Sequence, residues 1–253
     1  MLYGDYHTHT PYSHGTGTVM ENAMVAKEKG LKELAITDHG FNHMAFAIKR
    51  KELKSLRKDI DEAENVTGLK IYLGVEANII SKSGKVDVKP KDFKYLELLV
   101  VGYHKAVWSD PKSEIDYILK NMIIKNQSKK MIESNTRSYI KALRKYPIDI
   151  ISHLNHHAKV DVVAVAKVAE EVGCYIELNG KRKHFSKEQV RDMVEQTNCM
   201  FVLDSDAHSK ERVGEVTMWM ELAKEYGIPK ERIANLNGGI KLRDKKAFYE
   251  TKR

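Results

Sequence analysis

Short apolar runs alternate along this chain with longer stretches whose apolar residues recur every three or four positions. The first pattern suits buried strands and the second amphipathic helices. The spacing predicts strands at 2–6, 33–37, 70–75, 97–101, 148–152, 175–178 and 200–203. It predicts helices over 19–29, 46–64, 113–145 (as two), 161–172, 186–196 and 215–227. Local signals fix several ends. Asp161 before VVAVAKVAEEV is an N-cap, and Gly173 stops that helix. Ser186 with Gln189 three residues on forms a capping box, and Gly227 closes the last helix. Seven strands alternating with helices imply parallel pairing through right-handed crossovers. A closed, TIM-like (β/α)7 barrel is more economical than an open sheet for this order. No internal repeat, low-complexity tract or linker interrupts the pattern, so residues 1–253 read as one domain.

Composition changes this picture only in part. The 42% hydrophobic content supplies a sizeable core, and 31% charged residues suit a soluble chain. With 43 Lys and Arg against 35 Asp and Glu, the net charge is +8. A basic surface favours anionic partners, either phosphorylated metabolites or nucleic acid. KNQSKK and KLRDKK read as solvated charge runs on helices, because no aromatic residues interleave them as in single-strand grooves. No apolar run reaches membrane-spanning length, and no signal-peptide pattern opens the chain. Two cysteines, Cys174 and Cys199, without a C-x-x-C spacing, fit a reducing cytoplasm rather than a disulfide scaffold.

The strand ends carry the chemistry. The stretch DYHTHTPYSHGT holds His7, His9 and His14. Asp38 and His39 follow the second strand in AITDHG, and Glu76 follows the third in YLGVEAN. His104 and His153 follow the fourth and fifth, Asn179 ends the sixth, and Asp206 and His208 follow the seventh. A barrel gathers the C-terminal ends of its strands on one face. Imidazoles with carboxylates suit zinc, manganese or iron(II) rather than a thiolate site. Such a set exceeds the needs of one tetrahedral ion and serves two or three if a carboxylate bridges. A site of that kind generates hydroxide at neutral pH and clamps an in-line displacement, which is what phosphate ester hydrolysis requires. NGKRKHF places Lys181, Arg182 and Lys183 just past the sixth strand, where Arg182 is the best candidate to hold a substrate phosphate bidentately. Lys159 is a weaker candidate. His156 and His157 follow the fifth strand, where one of them could face the substrate and protonate a leaving group.

DYHTHT, ITDHG, GVEAN, YH, ISH and DSDAHS, in this order, resemble the PHP family, named for polymerase and histidinol phosphatase. The likeness runs from Asp5 to the region of Asn237. It implies a distorted seven-stranded barrel with a trinuclear centre of divalent ions: zinc, manganese or iron. One metal would take His7, His9, Glu76 and Asp206; a second His14, His39 and His208; a third Glu76, His104 and His153, with Glu76 bridging. A metal-bridging hydroxide would attack phosphorus directly, with His7, His9, Glu76, Asp206 and His208 at the reacting centre. Asp5 and Asp38 would orient metal-binding imidazoles. The expected activity is hydrolysis of a small phosphomonoester such as histidinol phosphate, a nucleotide or a sugar phosphate. The alternatives are a 3′–5′ exonuclease, a protein-tyrosine phosphatase, an amidohydrolase-type enzyme and a non-catalytic metal-binding module.

Overall fold

The computed structural model describes residues 1–111 and 114–250. Seven strands form one sheet in chain order, every neighbouring pair parallel. They are β1 Gly4–Thr8, β2 Glu33–Ile36, β3 Lys70–Asn78, β4 Leu98–Gly102, β5 Ile150–Ile151, β6 Tyr175–Asn179 and β7 Phe201–Asp204. The helices are α1 Val19–Glu28, α2 Leu53–Thr67, α3 Ile115–Ile123, α4 Lys129–Lys145, α5 Val162–Val172, α6 Lys187–Gln196, α7 Thr217–Tyr226 and α8 Lys245–Glu250. The expected TIM-like barrel is therefore present, with seven strands rather than the eight an amidohydrolase-type barrel would show.

Strand residues alternate between two buried environments, as the period-2 geometry of a strand requires. Leu34, Ile36, Leu99, Val101, Ile151, Phe201 and Leu203 pack outward under the helices. Ala35, Leu98, Val100, Ile150 and Val202 fill the barrel interior with Tyr6, Tyr72 and Tyr175. Burial on both faces explains why the strands read as continuous apolar runs. The interior changes character along its axis. Tyr72, Tyr175 and Val202 lie inside, so Glu76, Glu177, Asn179, Asp204 and Asp206 on the same parity point inward higher up. The lower end is apolar and is plugged by Ile240, whose N–H donates to the Tyr6 hydroxyl at 3.2 Å.

The barrel closes between β7 and β1 largely through side chains. One bridge pairs Thr8 with Ala207. Below it, Tyr6 N–H donates to Asp204 Oδ1 at 2.7 Å, and Ser205 N–H to Asp5 Oδ1 at 3.1 Å. Lower still, buried Asn235 fills the gap. Its Nδ2 donates to Gly4 O at 2.9 Å and Leu203 O at 2.6 Å, and its Oδ1 accepts from Leu203 N–H at 3.0 Å.

Several boundaries differ from the sequence reading. β1 and β3 run to Thr8 and Asn78, so His7 and Glu76 lie inside strands rather than after them. The stretch expected as helix over 46–64 becomes helical only at Leu53, after a 3₁₀ turn Arg50–Glu52. The preceding loop instead bonds across the barrel mouth: Met44 N–H donates to Ala106 O and Trp108 N–H to Asn42 O. The stretch 113–145 forms α3 and α4, with Ser113 outside the described residues. KNQSKK, 125–130, is mostly the loop between them, with Ser128 capping α4. The caps at Asp161 and Ser186 form as read, and Gly173 and Gly227 adopt left-handed φ of 71° and 77°. Cys174 and Cys199 are free and buried. Among the described residues, no helix is long and apolar enough to cross a membrane.

Candidate metal centre

Glu76 stands at the middle of the barrel mouth, buried, and each of its oxygens faces a different group of imidazoles. Oε1 lies 2.8 Å from His153 Nε2 and 3.1 Å from His104 Nε2, and accepts a 2.9 Å hydrogen bond from Ser152 Oγ. Oε2 lies 3.0 Å from His39 Nδ1, 3.3 Å from His7 Nε2 and 3.7 Å from His9 Nε2. Asp206 enters from the seam side, with Oδ1 3.4 Å from His9 Nε2 and 3.3 Å from His208 Nδ1. The His14 ring lies 4.2 Å from that of His208 and stacks on His39 at 4.8 Å, centroid to centroid. All nine expected ligands thus meet in one place. The groups with closest ligand atoms are His7–His9–Glu76, His39–Glu76–His104 and His9–His39–His208. His9 therefore takes part in two groups, and His39 sits beside Glu76 as well as beside His208.

Burial alone would raise the Glu76 carboxyl, but positive charge on His104 and His7 outweighs it and holds Glu76 well below the usual carboxylate range. Asp206 is likewise depressed, with His7 and His9 overcoming its burial. Burial would depress His7, yet Glu76, Glu177 and Asp206 push it well above the ordinary imidazole value. His9 shares its pocket with other imidazoles and is driven well below it by burial. Among the described residues, four buried atoms of the cluster's side chains, His9 Nδ1, His14 Nδ1, His39 Nδ1 and Glu76 Oε2, have no hydrogen-bond partner. Buried polar atoms are normally satisfied, and metal coordination supplies what such atoms lack. The donor set and its unpartnered atoms therefore fit divalent metal ions.

Asp5 and Asp38, expected to orient imidazoles, accept main-chain and hydroxyl hydrogen bonds, and Asp5 Oδ1 lies 3.4 Å from the His7 main-chain N. Asp5 accepts from Ser205 N–H and Oγ–H and from Gly214 N–H, which fastens the seam. Asp38 accepts from Thr10 N–H and Oγ–H and from Ser13 Oγ–H, which fixes the loop carrying His9 and His14. Other groups meet the second ring nitrogens. Glu177 Oε1 lies 2.5 Å from His7 Nδ1, and Asn78 Oδ1 lies 2.7 Å from His104 Nδ1. The sequence reading missed both. The available signal was a lone carboxylate, Glu177, inside the buried run YIELN.

The expected substrate-binding residues lie around the rim. Arg182 Nη1 is 3.2 Å from His156 Nε2, and its Nε is 4.0 Å from Asp206 Oδ2. Lys181 Nζ reaches His208 Nδ1 at 3.1 Å. Lys183 turns away and places its ammonium over the Tyr226 ring. Lys159 Nζ donates to Asn155 O. The His157 ring packs on His156, and burial beside cationic neighbours lowers His157 to about 2. His43 stacks on His39 and is lowered to about 4, mainly by burial. A cavity of about 550 Å³, lined by Tyr12, Phe46 and Lys49 among others, flanks the loop bearing His14.

Comparison with known proteins places this geometry. The family model for the PHP domain matches residues 5–208. A protein of Caldanaerobacter subterraneus subsp. tengcongensis named "probable phosphatase" is 27% identical over 245 residues, covering 91% of this chain and 86% of that one. One from Shewanella sediminis, also named "probable phosphatase", is 29% identical over 240 residues, covering 91% and 88%. The crystal structure of histidinol phosphate phosphatase from Lactococcus lactis, with zinc, L-histidinol and phosphate, shares the fold at a TM-score of 0.62 and 13% identity. That match covers 90% of this chain and 95% of the other.

Proposed function

This chain belongs to the PHP-domain family and is a hydrolase of phosphoric esters; on that premise we propose that it is a metal-dependent phosphatase of small phosphomonoesters. The observation that carries the proposal is Glu76, set between two groups of imidazoles with one oxygen toward each. A carboxylate so placed is suited to bridge ions. In this reading His7, His9, Glu76 and Asp206 would hold one ion, His14, His39 and His208 a second, and Glu76, His104 and His153 a third. The donor types favour zinc, manganese or iron(II). Such ions, when bound, supply Lewis acidity and a water ionised near neutral pH.

The chain's own residues would do the rest. Glu76, inside β3, and Asp206, just past β7, would fix the reacting centre. Arg182 and Lys181, on the loop after β6, would hold the phosphoryl oxygens of the bound substrate. Trp219 Nε1–H donates to Arg182 O at 2.8 Å, which anchors that loop. His157 is neutral at pH 7 and would accept a hydrogen bond from the substrate. Residues 1–253 would act as one unit, supported by the segment beyond residue 208 supplying Asn235 and Ile240 to the barrel.

The test is phosphate release by purified protein given manganese or zinc. The substrates are histidinol phosphate, mononucleotides, sugar phosphates, a phosphotyrosine peptide and a short oligonucleotide. The proposal expects release from a small monoester, reduced at least a thousandfold in Glu76→Gln, with Arg182→Ala raising KM more than it lowers kcat. Shortening of the oligonucleotide without monoester hydrolysis would replace it with a nuclease. Activity on the peptide alone would make the enzyme a protein-tyrosine phosphatase.

A further inference from the structure

We propose that Glu177 is a positioning residue: together with Asn179 it sets the tautomer of His7 and the pose of His153 and Asp206, and metal loading depends on it. The inference rests on the metal centre proposed above. Glu177 and Asn179 stand two apart on β6, fully buried, so both side chains enter the barrel interior. Glu177 divides its oxygens between different tasks. Oε1 meets His7 Nδ1 at 2.5 Å. Oε2 accepts the His153 backbone N–H at 2.5 Å and Asn179 Nδ2–H at 2.9 Å. Asn179 Nδ2 also lies 3.2 Å from Asp206 Oδ2. One carboxylate therefore reaches three expected ligands: one by its ring, one by its main chain and one through an amide.

The chemistry of these contacts has a direction. Glu177 Oε2 already accepts two N–H groups, and Oε1, set against His7 Nδ1, is placed to accept a third from that ring nitrogen. In the neutral ring His7 Nε2 then keeps its lone pair, and that atom faces Glu76 Oε2 at 3.3 Å. A metal-ligating imidazole needs this arrangement, and a carboxylate behind it raises the ligand's basicity. The other two contacts fall on ligand residues with left-handed backbone, one at the main chain and one at the side chain. His153 has φ 29° and Asp206 φ 51°, a region that non-glycine residues enter at a cost. Glu177 grips the amide of the first, and Asn179 grips the carboxylate of the second. The neighbouring interior carboxylates, Asp5 and Asp204, bond main-chain amides along the seam, so they do not duplicate the contact to the His7 ring.

Glu177→Gln changes one atom and tests this directly. Its amide oxygen can still accept from His153 and Asn179, which leaves its NH2 group facing His7 Nδ1. That pairing forces the His7 proton onto Nε2 and removes the lone pair from the centre. Equilibrium dialysis against Mn²⁺ alone is expected to show affinity about 10- to 100-fold weaker than in the unsubstituted protein. Turnover should fall through kcat, with KM for the best monoester little changed. Asn179→Ala, which keeps the carboxylate, should weaken Mn²⁺ binding less. Should Glu177→Gln fail to fold, the unsubstituted protein decides the matter. Long-range ¹H–¹⁵N spectra of histidine-labelled, zinc-loaded protein should show His7 as the Nδ1–H tautomer. Unchanged Mn²⁺ affinity and kcat in folded Glu177→Gln, or an Nε2–H tautomer for His7, would overturn the inference and leave the metal centre standing. An unsubstituted protein that binds no Mn²⁺ would overturn the centre itself, and this inference with it.

Discussion

Four histidines show how a partner at a ring nitrogen fixes an imidazole. His7 Nδ1 meets Glu177, His104 Nδ1 meets Asn78, and His208 Nδ1 meets the Asp206 carbonyl. His184 shows the same device used for structure. Its Nδ1–H donates to Leu154 O at 2.8 Å, and its Nε2 accepts from Asn179 N–H at 3.3 Å. Burial lowers His184 from 6.5 to about 3. It is neutral in the fold, whereas the unfolded chain protonates it below pH 6.5. Between pH 6.5 and 3 the unfolded state binds the extra proton, so stability falls as pH falls. Glutamine at 184 can make both hydrogen bonds without titrating. The other ten histidines are common to both proteins and cancel. Urea unfolding should therefore show the unsubstituted protein losing about 2 kcal/mol more than His184→Gln between pH 7 and pH 5. Parallel losses would show that His184 does not set this slope. Side chains like this one were opaque in the sequence. The nine ligand candidates stood out because they recur at strand ends. Glu177, inside β6, and Asn78, at the end of β3, carried no such signal, because only the fold reveals which ring each meets.

The strands themselves were legible because both of their faces are buried, which leaves compact apolar runs between polar helices. The segment after β2 was not. The helix expected from Phe46 starts only at Leu53, and the backbone of residues 42–44 just before it is bonded to the loop at 106–108. The closure was hidden for a related reason. A β7–β1 seam with few ladder bonds depends on side-chain amides and carboxylates that carry no periodic signal. Asn235 lies 32 residues beyond Leu203 in the chain and bonds both its N–H and its C=O. Asn235→Ala would leave Leu203 N, Leu203 O and Gly4 O buried without partners. At about 1 kcal/mol or more each, the loss is about 3 kcal/mol. For a chain of this size that lowers Tm by about 6–12 °C. Differential scanning calorimetry checks this, with kcat at 25 °C expected to be unchanged because Asn235 lies below the metal centre. A Tm within a degree of the unsubstituted value would mean that the seam does not depend on this residue.

Taken as one body, the molecule concentrates its unusual chemistry at one end. The lower barrel and its outer layer are mostly apolar packing, with the buried Asp149–Lys245 ion pair at the foot of β5, while the mouth gathers nine candidate imidazole and carboxylate ligands with several atoms unpartnered. Such an end is costly for the protein to hold together without cations, since buried polar atoms lack their solvent and like charges face one another. Divalent ions should therefore act as part of the fold as well as of the site. A ligand that binds only the native state stabilises it by RT ln(1 + [L]/Kd), about 4 kcal/mol at a thousandfold excess over Kd. For this chain that corresponds to a Tm rise of about 8–16 °C on adding Mn²⁺ or Zn²⁺ to chelated protein. EDTA should reverse it. The same titration on Glu76→Gln should give a much smaller rise, because the carboxylate between the two imidazole groups is gone. A global basic charge of +8 predicts no such dependence on Glu76, since nonspecific cation effects would touch both proteins alike. Equal shifts in the two proteins would therefore place the stabilising ions elsewhere, and no shift in either would mean that the mouth holds its imidazoles and carboxylates together without metal.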